Sequence, residues 1–367
     1  MALALRLAAK GQGQTSPNPM VGAVVVRGGR IVGTGYHRRA GEPHAEVLAL
    51  KAAGSRSQGA TLYVTLEPCC HDRKRTPPCV PALIASDLRR VVVAMRDPNP
   101  KVSGKGIGLL RRAGLDVTVD CLRDEAERLN AIYCHWRRTG YPFVVLKAAM
   151  TLDGKIATAG GASQWITGRE ARRHAHRLRS QMDAILVGAN TVLQDDPRLT
   201  VRLAGPTQRR QPLRVILDSR LRIPLTARVF SPRTRSGADM GTLVATTPLV
   251  PKSRRQRLTQ KGVSVLVLPS LNKQVSLRAC LRRLAQQDIS SVLIEGGSRV
   301  NASALQSGLV NRLVLYVAPL LLGGQDAKSV IGGESPAHLT QAIPLSNWHV
   351  RRIGRDLLIE ATLLQKQ

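Results

Sequence analysis

The stretch HAEVLAL (residues 44–50), followed at residues 65–79 by TLEPCCHDRKRTPPC, decides how the first half of the chain is built. HAEVLALKAAG places apolar residues at helical spacing and stops at Gly54, where a glycine ends a helix well. TLYVTL, just before EPCC, is a short apolar run that predicts a strand, and VPALIASD after TPPC predicts a second helix. His44 therefore opens one helix, Cys69 follows a strand and Cys79 opens another helix. A zinc ion that does chemistry needs three protein ligands and one open position, and an imidazole with two thiolates is a common set. His44, Cys69 and Cys79 supply it.

Bound zinc lowers the pKa of water from about 15.7 toward about 7. A nearby carboxylate that leaves the metal alone can then carry protons, and Glu46 stands two residues beyond His44. Zinc deaminases pair such an H-x-E stretch with a later P-C element, here Pro68-Cys69. Taken alone, His44 with Glu46 is better read as a surface or satisfied histidine at a helix head. HAE, TLEPC after a strand and TPPC opening a helix together single out a metal centre. His37, Cys70 and His71 are spare candidates.

Outward from this stretch, a helix over residues 2–10 and a Gly/Pro/Asn-rich loop precede a hairpin, VGAVVVR and IVGTGYH about Gly28-Gly29. Beyond Cys79, strand RRVVVAM, helix IGLLRRAG and strand LDVTV continue the alternation. Apolar strands joined by helices predict a mainly parallel sheet covered on both faces, an α/β/α layered domain. One polar helix, RDEAERLNAIYCHWRR, leads to a boundary near residues 140–145, which gives domains over 1–145 and 146–367. The second half restarts with FVVLKAAM, then alternates helices and strands to SVLIEGG, a helix from about Ala302 to Gly308, and RLVLYVAP. GPTQRRQP and SPRTRSGADM have loop composition.

A length of 367 residues suits two cores. No apolar run is long enough to span a bilayer, and the start MALALRLAAKG lacks the parts of a leader, so a cytoplasmic protein is expected. Six cysteines in so long a chain favour metal binding or burial over disulfides. The net charge of +31 raises nucleic-acid binding. Yet residues 1–145 carry 22 Lys+Arg against 11 Asp+Glu and residues 146–367 carry 33 against 13, so there is no basic tail. Aromatics at 3% leave few stacking platforms for bases.

PNPMVG (17–22), GYHRRAGEPHAEV (35–47), the TLEPC…TPPC stretch and DPNPKVSGKG (97–106) resemble the bifunctional riboflavin-biosynthesis deaminase/reductase family. The resemblance implies a cytidine-deaminase-like fold that hydrolyses the amino group of a phosphoribosylated diaminopyrimidinone. Zinc would be held by His44, Cys69 and Cys79, Glu46 would carry protons, and Asn18 would line the pyrimidine pocket. The family spaces its cysteines by eight residues, whereas nine lie between Cys69 and Cys79, so counting back from Cys79 points to Cys70. Pro68 favours Cys69, since one inserted residue is absorbed cheaply by a loop.

In the second half, IEGGSRVNASAL offers bare backbone amides and a helix start suited to phosphate, although G-x-G-x-x-G is absent. LKAAMTLDGKIA (146–157), SQWITG (163–168) and ILVGANTVLQDDPRLTVR (185–202) resemble the family's reductase half. That half is dihydrofolate-reductase-like, uses NADPH and opens the ribose of the deaminated product to a ribityl chain. Carried over, NADPH would meet Ala149, Trp165, Thr191, Asp195 and the Gly297–Ser303 turn with Ser298, and substrate would meet Ser163, Arg179, Leu199, Arg202 and Glu295. Arg179 and Arg202 suit the substrate phosphate because guanidinium pairs with phosphate bidentately. Two rival readings are a nucleic-acid deaminase, which would show a short C-x-x-C pair, and a basic RNA-binding protein on a decayed deaminase scaffold. Self-association into a homo-oligomer stays open.

Overall fold

The computed structural model describes residues 1–71, 76–203, 210–230 and 241–363; DRKR apart from its neighbours, most of GPTQRRQP and all of SPRTRSGADM lie outside them. The described chain forms two compact units, Met1–Tyr141 and Pro142–Gln367.

In the first unit, α1 (Ala2–Ala9), β1 (Gly22–Arg27), β2 (Arg30–Tyr36), α2 (Ala45–Ala53) and β3 (Thr61–Val64) lead to α3 (Cys79–Ile84) and β4 (Arg90–Val93). The unit closes with α4 (Lys105–Arg112), β5 (Asp116–Thr118), α5 (Arg123–Leu129) and α6 (Ala131–Thr139). Its sheet runs β2-β1-β3-β4-β5. The expectation of a mainly parallel sheet needs correction, because β1 is antiparallel to both β2 and β3, and only β3-β4 and β4-β5 are parallel. The tight turn at Gly28-Gly29 imposes the first antiparallel pair, and the crossover through α2 returns the chain beyond β1 rather than beside β2. Ala45, Ala49 and Ala53 form the buried face of α2. They let its backbone come so close to β2 that a Cβ on Gly35 would stand 2.4 Å from the Ala45 carbonyl oxygen. That close approach sets where His44, at the head of α2, points.

The single polar helix expected over 123–138 is two helices. Asn130 breaks it, and its side chain accepts from the Met20 amide at 2.8 Å and donates to the Met20 carbonyl at 2.9 Å. The break exchanges one turn of helix for a grip on the PNPM loop.

The second unit contains β6 (Phe143–Thr151), β7 (Lys155–Ala157), α7 (Arg169–Arg179), β8 (Ala184–Gly188), α8 (Ala189–Asp195), β9 (Leu213–Leu217) and β10 (Thr242–Thr246). After α9 (Lys252–Gln260) and β11 (Ser264–Val267), a small ribbon, β12 (Ser270–Leu271) with β13 (Gln274–Val275), precedes α10 (Leu277–Ala285). Then come β14 (Ser291–Ile294), α11 (Ser298–Gln306), β15 (Arg312–Ala318), β16 (Lys328–Ser329) and a hairpin of β17 (Leu345–Ile353) and β18 (Asp356–Leu363). The nine-stranded sheet is ordered β11-β10-β9-β8-β14-β6-β15-β18-β17 and is parallel from β11 through β15. Strand β14 enters late in the chain between β8 and β6, so the connections diverge there, and ligands of open α/β sheets bind at the strand ends of such a point. Helix α11 starts at Ser298, four residues before the sequence-based expectation, because Gly297 stays extended and the helix begins immediately after it. The closing hairpin was not expected: β17 is exposed along most of its length and has no apolar alternation.

Candidate functional site

His44 precedes α2 in an extended conformation, and Cys79, fully buried, is the first residue of α3. Their helix starts converge on the loop after β3. The Nδ1 of His44 lies 3.1 Å from Cys79 Sγ and 3.5 Å from Cys69 Sγ, and one ligand atom from each of the three residues falls within 4.8 Å of the others. The Cys79 amide donates to Cys69 Sγ at 3.3 Å. His44 Nε2, facing away from the sulfurs, meets Thr76 Oγ1 at 3.0 Å. Of the two adjacent cysteines, Cys69 is the one grouped with His44 and Cys79 among the described residues, while Cys70 lines a cavity of about 560 Å³ with His71, Lys101, Lys105 and Arg112.

Glu46 is buried, and its Oε2 has no hydrogen-bond partner among the described residues. Burial, reinforced by the nearby Cys69 sulfur, pushes its pKa up. A buried carboxylate of raised pKa, with one oxygen lacking a partner, beside one imidazole and two thiols fits a zinc centre with an adjacent proton carrier. Asn18 reaches the same place: its Nδ2 is 3.1 Å from Nε2 of the buried His37, whose ring stands edge-on to His44 with centroids 5.2 Å apart.

Glu67, part of the TLEP motif but not singled out from the sequence, holds the next loop. It accepts from the amides of Asp97, Gly104 and Ile107 at 3.2, 2.9 and 3.2 Å. Asp97 in turn accepts from the Tyr133 hydroxyl at 2.9 Å, and burial raises its pKa to about 6. Thr76 is the other residue the sequence reading missed, since a threonine in a loop carries no signal until its imidazole partner is placed.

In the second unit, the expected residues gather only in part. Glu295, at the end of β14, forms a bidentate pair with Arg179 at 2.7 Å for both contacts, and Lys147 Nζ is 3.7 Å away. Burial would raise the Glu295 pKa, but Arg179 and Lys147 outweigh it and hold it at about 2. Arg179 is thus occupied by Glu295 and, through Nη1, by the Thr200 carbonyl at 3.1 Å. Arg202 makes no side-chain hydrogen bond or ion pair with a described residue, while its amide is 3.2 Å from His176 Nδ1. Lys147 stands in the LKAAM stretch, yet only the fold shows that it faces Glu295.

Ser163 Oγ donates to Asp195 at 3.1 Å, joining a substrate candidate to a cofactor candidate. Trp165 is 64% exposed, so it is not core packing, and the Arg172 guanidinium lies 4.6 Å from its ring. Thr191 lies on α8 facing Gly297, with its Oγ1 3.7 Å from where a Gly297 Cβ would stand. Gly297 and Ser298 open α11 without a side-chain cap, leaving amides directed at the strand ends. Ser303 does not join them: it is exposed on the second turn of α11. Ala149 sits on β6 opposite Tyr316, and Leu199 is buried with φ +51.

Comparison with known proteins agrees with this geometry. The family described as the cytidine and deoxycytidylate deaminase zinc-binding region matches residues 1–95, and the RibD C-terminal domain matches residues 142–359. The riboflavin biosynthesis protein RibD of Aquifex aeolicus is 45% identical over 359 residues, covering 98% of this chain and 96% of that protein. That of Escherichia coli is 42% identical, covering 98% and 97%. Among solved structures, RibD of Acinetobacter baumannii superposes with a TM-score of 0.89 at 38% identity, covering 99% and 97%. The deaminase/reductase of Thermotoga maritima gives 0.84 at 36% identity, again covering 99% and 97%. With both halves matched over nearly their whole length, the chain belongs to the RibD family of riboflavin biosynthesis proteins.

Proposed function

We propose that residues 1–145 carry the deaminase and residues 146–367 the reductase of a bifunctional riboflavin-biosynthesis enzyme. The substrates follow the relatives: a diaminohydroxyphosphoribosylaminopyrimidine for the first step and 5-amino-6-(5-phosphoribosylamino)uracil for the second. Neither the nucleic-acid deaminase nor the decayed RNA-binding scaffold is favoured, since one family of biosynthetic enzymes accounts for the whole chain. No helix among the described residues is long and apolar enough to cross a membrane. A cytoplasmic setting suits thiol ligands, which stay reduced there.

The observation that carries the deaminase reading is the buried Glu46 oxygen without a partner beside His44, Cys69 and Cys79. Those three residues would hold zinc, which activates water for attack on the amine-bearing ring carbon. Glu46 would take one proton from that water and pass it to the ring nitrogen as the oxygen adds, then pass the hydroxyl proton to the leaving amine, so that the C–N bond breaks and ammonia departs as the new C=O forms. Asn18 and His37 face the ring's polar edge. The basic cavity of Lys101, Lys105 and Arg112 is of the sign a phosphate needs.

In the reductase half, NADPH would supply hydride to the ribose carbon, with the α11 amides holding a cofactor phosphate. Glu295, kept ionised by Arg179 and Lys147, accepts from substrate hydroxyls. Arg179 serves by orienting Glu295, which leaves Arg202 to pair with the substrate phosphate.

Glu46→Gln tests the central assignment. The variant is expected to retain one zinc per chain by elemental measurement while ammonia release falls by about three orders of magnitude or more. Retained turnover would remove Glu46 from its role.

A further inference from the structure

The segment carrying Ser163 and Trp165 has an unusual support. Residues 163–167 make no backbone-to-backbone hydrogen bond with a described residue, so their shape depends on side chains. Thr167 O accepts from Arg172 Nη1, within the same neighbourhood. Ser163 Oγ is tied to Asp195 and the Arg172 guanidinium lies over the Trp165 ring; two further contacts come from about 190 residues further along, at the tip of the β17-β18 hairpin. Arg355 Nη2 donates to the Ile166 carbonyl at 3.3 Å. Asp356 Oδ2 accepts from the Gly168 amide at 2.7 Å.

Gly168 is the residue before α7, and α7 has no side-chain cap of its own. Asp356 therefore places a carboxylate at the positive end of that helix from another element, satisfying one of its open amides. The carboxylate is buried, with Arg355 Nε 3.8 Å from Oδ1. Packing at the tip is close: a Cβ on Gly354, which has φ +60, would stand 2.6 Å from Glu170 Oε2 in the first turn of α7. The far end of α7 carries Arg179, clamped to Glu295. One helix is thus held at its start by the hairpin and at its end by the site.

We infer that the hairpin tip, through Arg355 and Asp356, is a positioning device for the reductase site: it sets the path of residues 163–168 and so the placement of Trp165 and Ser163. The inference rests on the reading of Trp165 as a cofactor contact. Neither tip residue touches a reacting atom; both act through the segment they hold.

The test uses the full-length, zinc-loaded protein carrying Arg355→Ala, Asp356→Asn or Trp165→Ala. Arg355 is exposed, so R355A tests the tip even if D356N fails to fold. Without NADPH, hydrogen exchange at the Gly168 amide, which Asp356 holds, is expected to quicken about tenfold in D356N. The NADPH Kd, followed by nicotinamide fluorescence, is expected to rise about threefold to tenfold, with kcat at saturation within about twofold of the parent. Ammonia release should not change. Parent-like exchange, or a fall in kcat with Kd unchanged, overturns the positioning role. A raised Kd in W165A with parent-like Kd in R355A and D356N overturns that role alone. A parent-like Kd in W165A instead removes Trp165 from the cofactor site and the reading beneath the inference with it.

Discussion

His44 presents its two ring nitrogens to different partners, the sulfurs on one side and Thr76 Oγ1 on the other. Outer-shell partners of this kind fix the tautomer and ring orientation of a metal ligand. Thr76→Val, which keeps the shape and removes the oxygen, should weaken zinc binding by about tenfold to a hundredfold, measured by competition with a chelator. Asp97 gives a second prediction. Burial raises its pKa to about 6 in the folded protein, above the ordinary carboxylate value. The folded state then holds the proton more tightly than the unfolded one. Its stabilising contribution is complete below about pH 4 and is lost as pH rises through 6, a change of roughly 3 kcal/mol. Asp97→Asn should flatten that slope in denaturant titrations between pH 4 and pH 7; an unchanged slope would place the proton elsewhere.

At the scale of elements, the deaminase loop depends on a helix coming very close to it. A Cβ on Gly106, in the first turn of α4, would stand 2.1 Å from the Pro68 carbonyl oxygen, adjoining Cys69. Backbone cannot yield cheaply there. Gly106→Ala should therefore cost about 1–3 kcal/mol and displace the Cys69 side of the metal centre. Lower zinc content with the reductase unaffected would be the signature. Glu67, accepting three amides from the same loop, is the polar counterpart of this steric constraint. Helices α5 and α6 show the complementary case, where Asn130 gives up helical continuity to bind the Met20 backbone.

Across the whole molecule, two chemistries with separate residue sets share one chain. The Glu295 carboxylate is balanced by Arg179 and Lys147, and removing its charge leaves two cations without their partner. Glu295→Gln should lower NADPH oxidation by about a hundredfold while ammonia release continues. Loss of both activities would show that the halves are coupled. The charge of +31 is spread through both halves, and part of it is engaged locally: Arg179 and Lys147 face Glu295, and Arg355 donates to the Ile166 carbonyl.

The linear sequence by itself determined the elements whose information is local. The apolar spacing after His44, the glycine pair at 28–29, and the metal-ligand types at His44, Cys69 and Cys79 all lie within windows of a few residues, and so does the strand-to-helix turn at Gly297. Tertiary structure alone decided what depends on distant partners. It brought Cys69 together with His44 and Cys79, gave Arg179 to Glu295 across 116 positions, and brought Asp356 to Gly168 across 188. Periodicity encodes which face of an element is buried, but a single polar contact has no period, and its partner is chosen only when the sheet order brings the two strand or helix ends together.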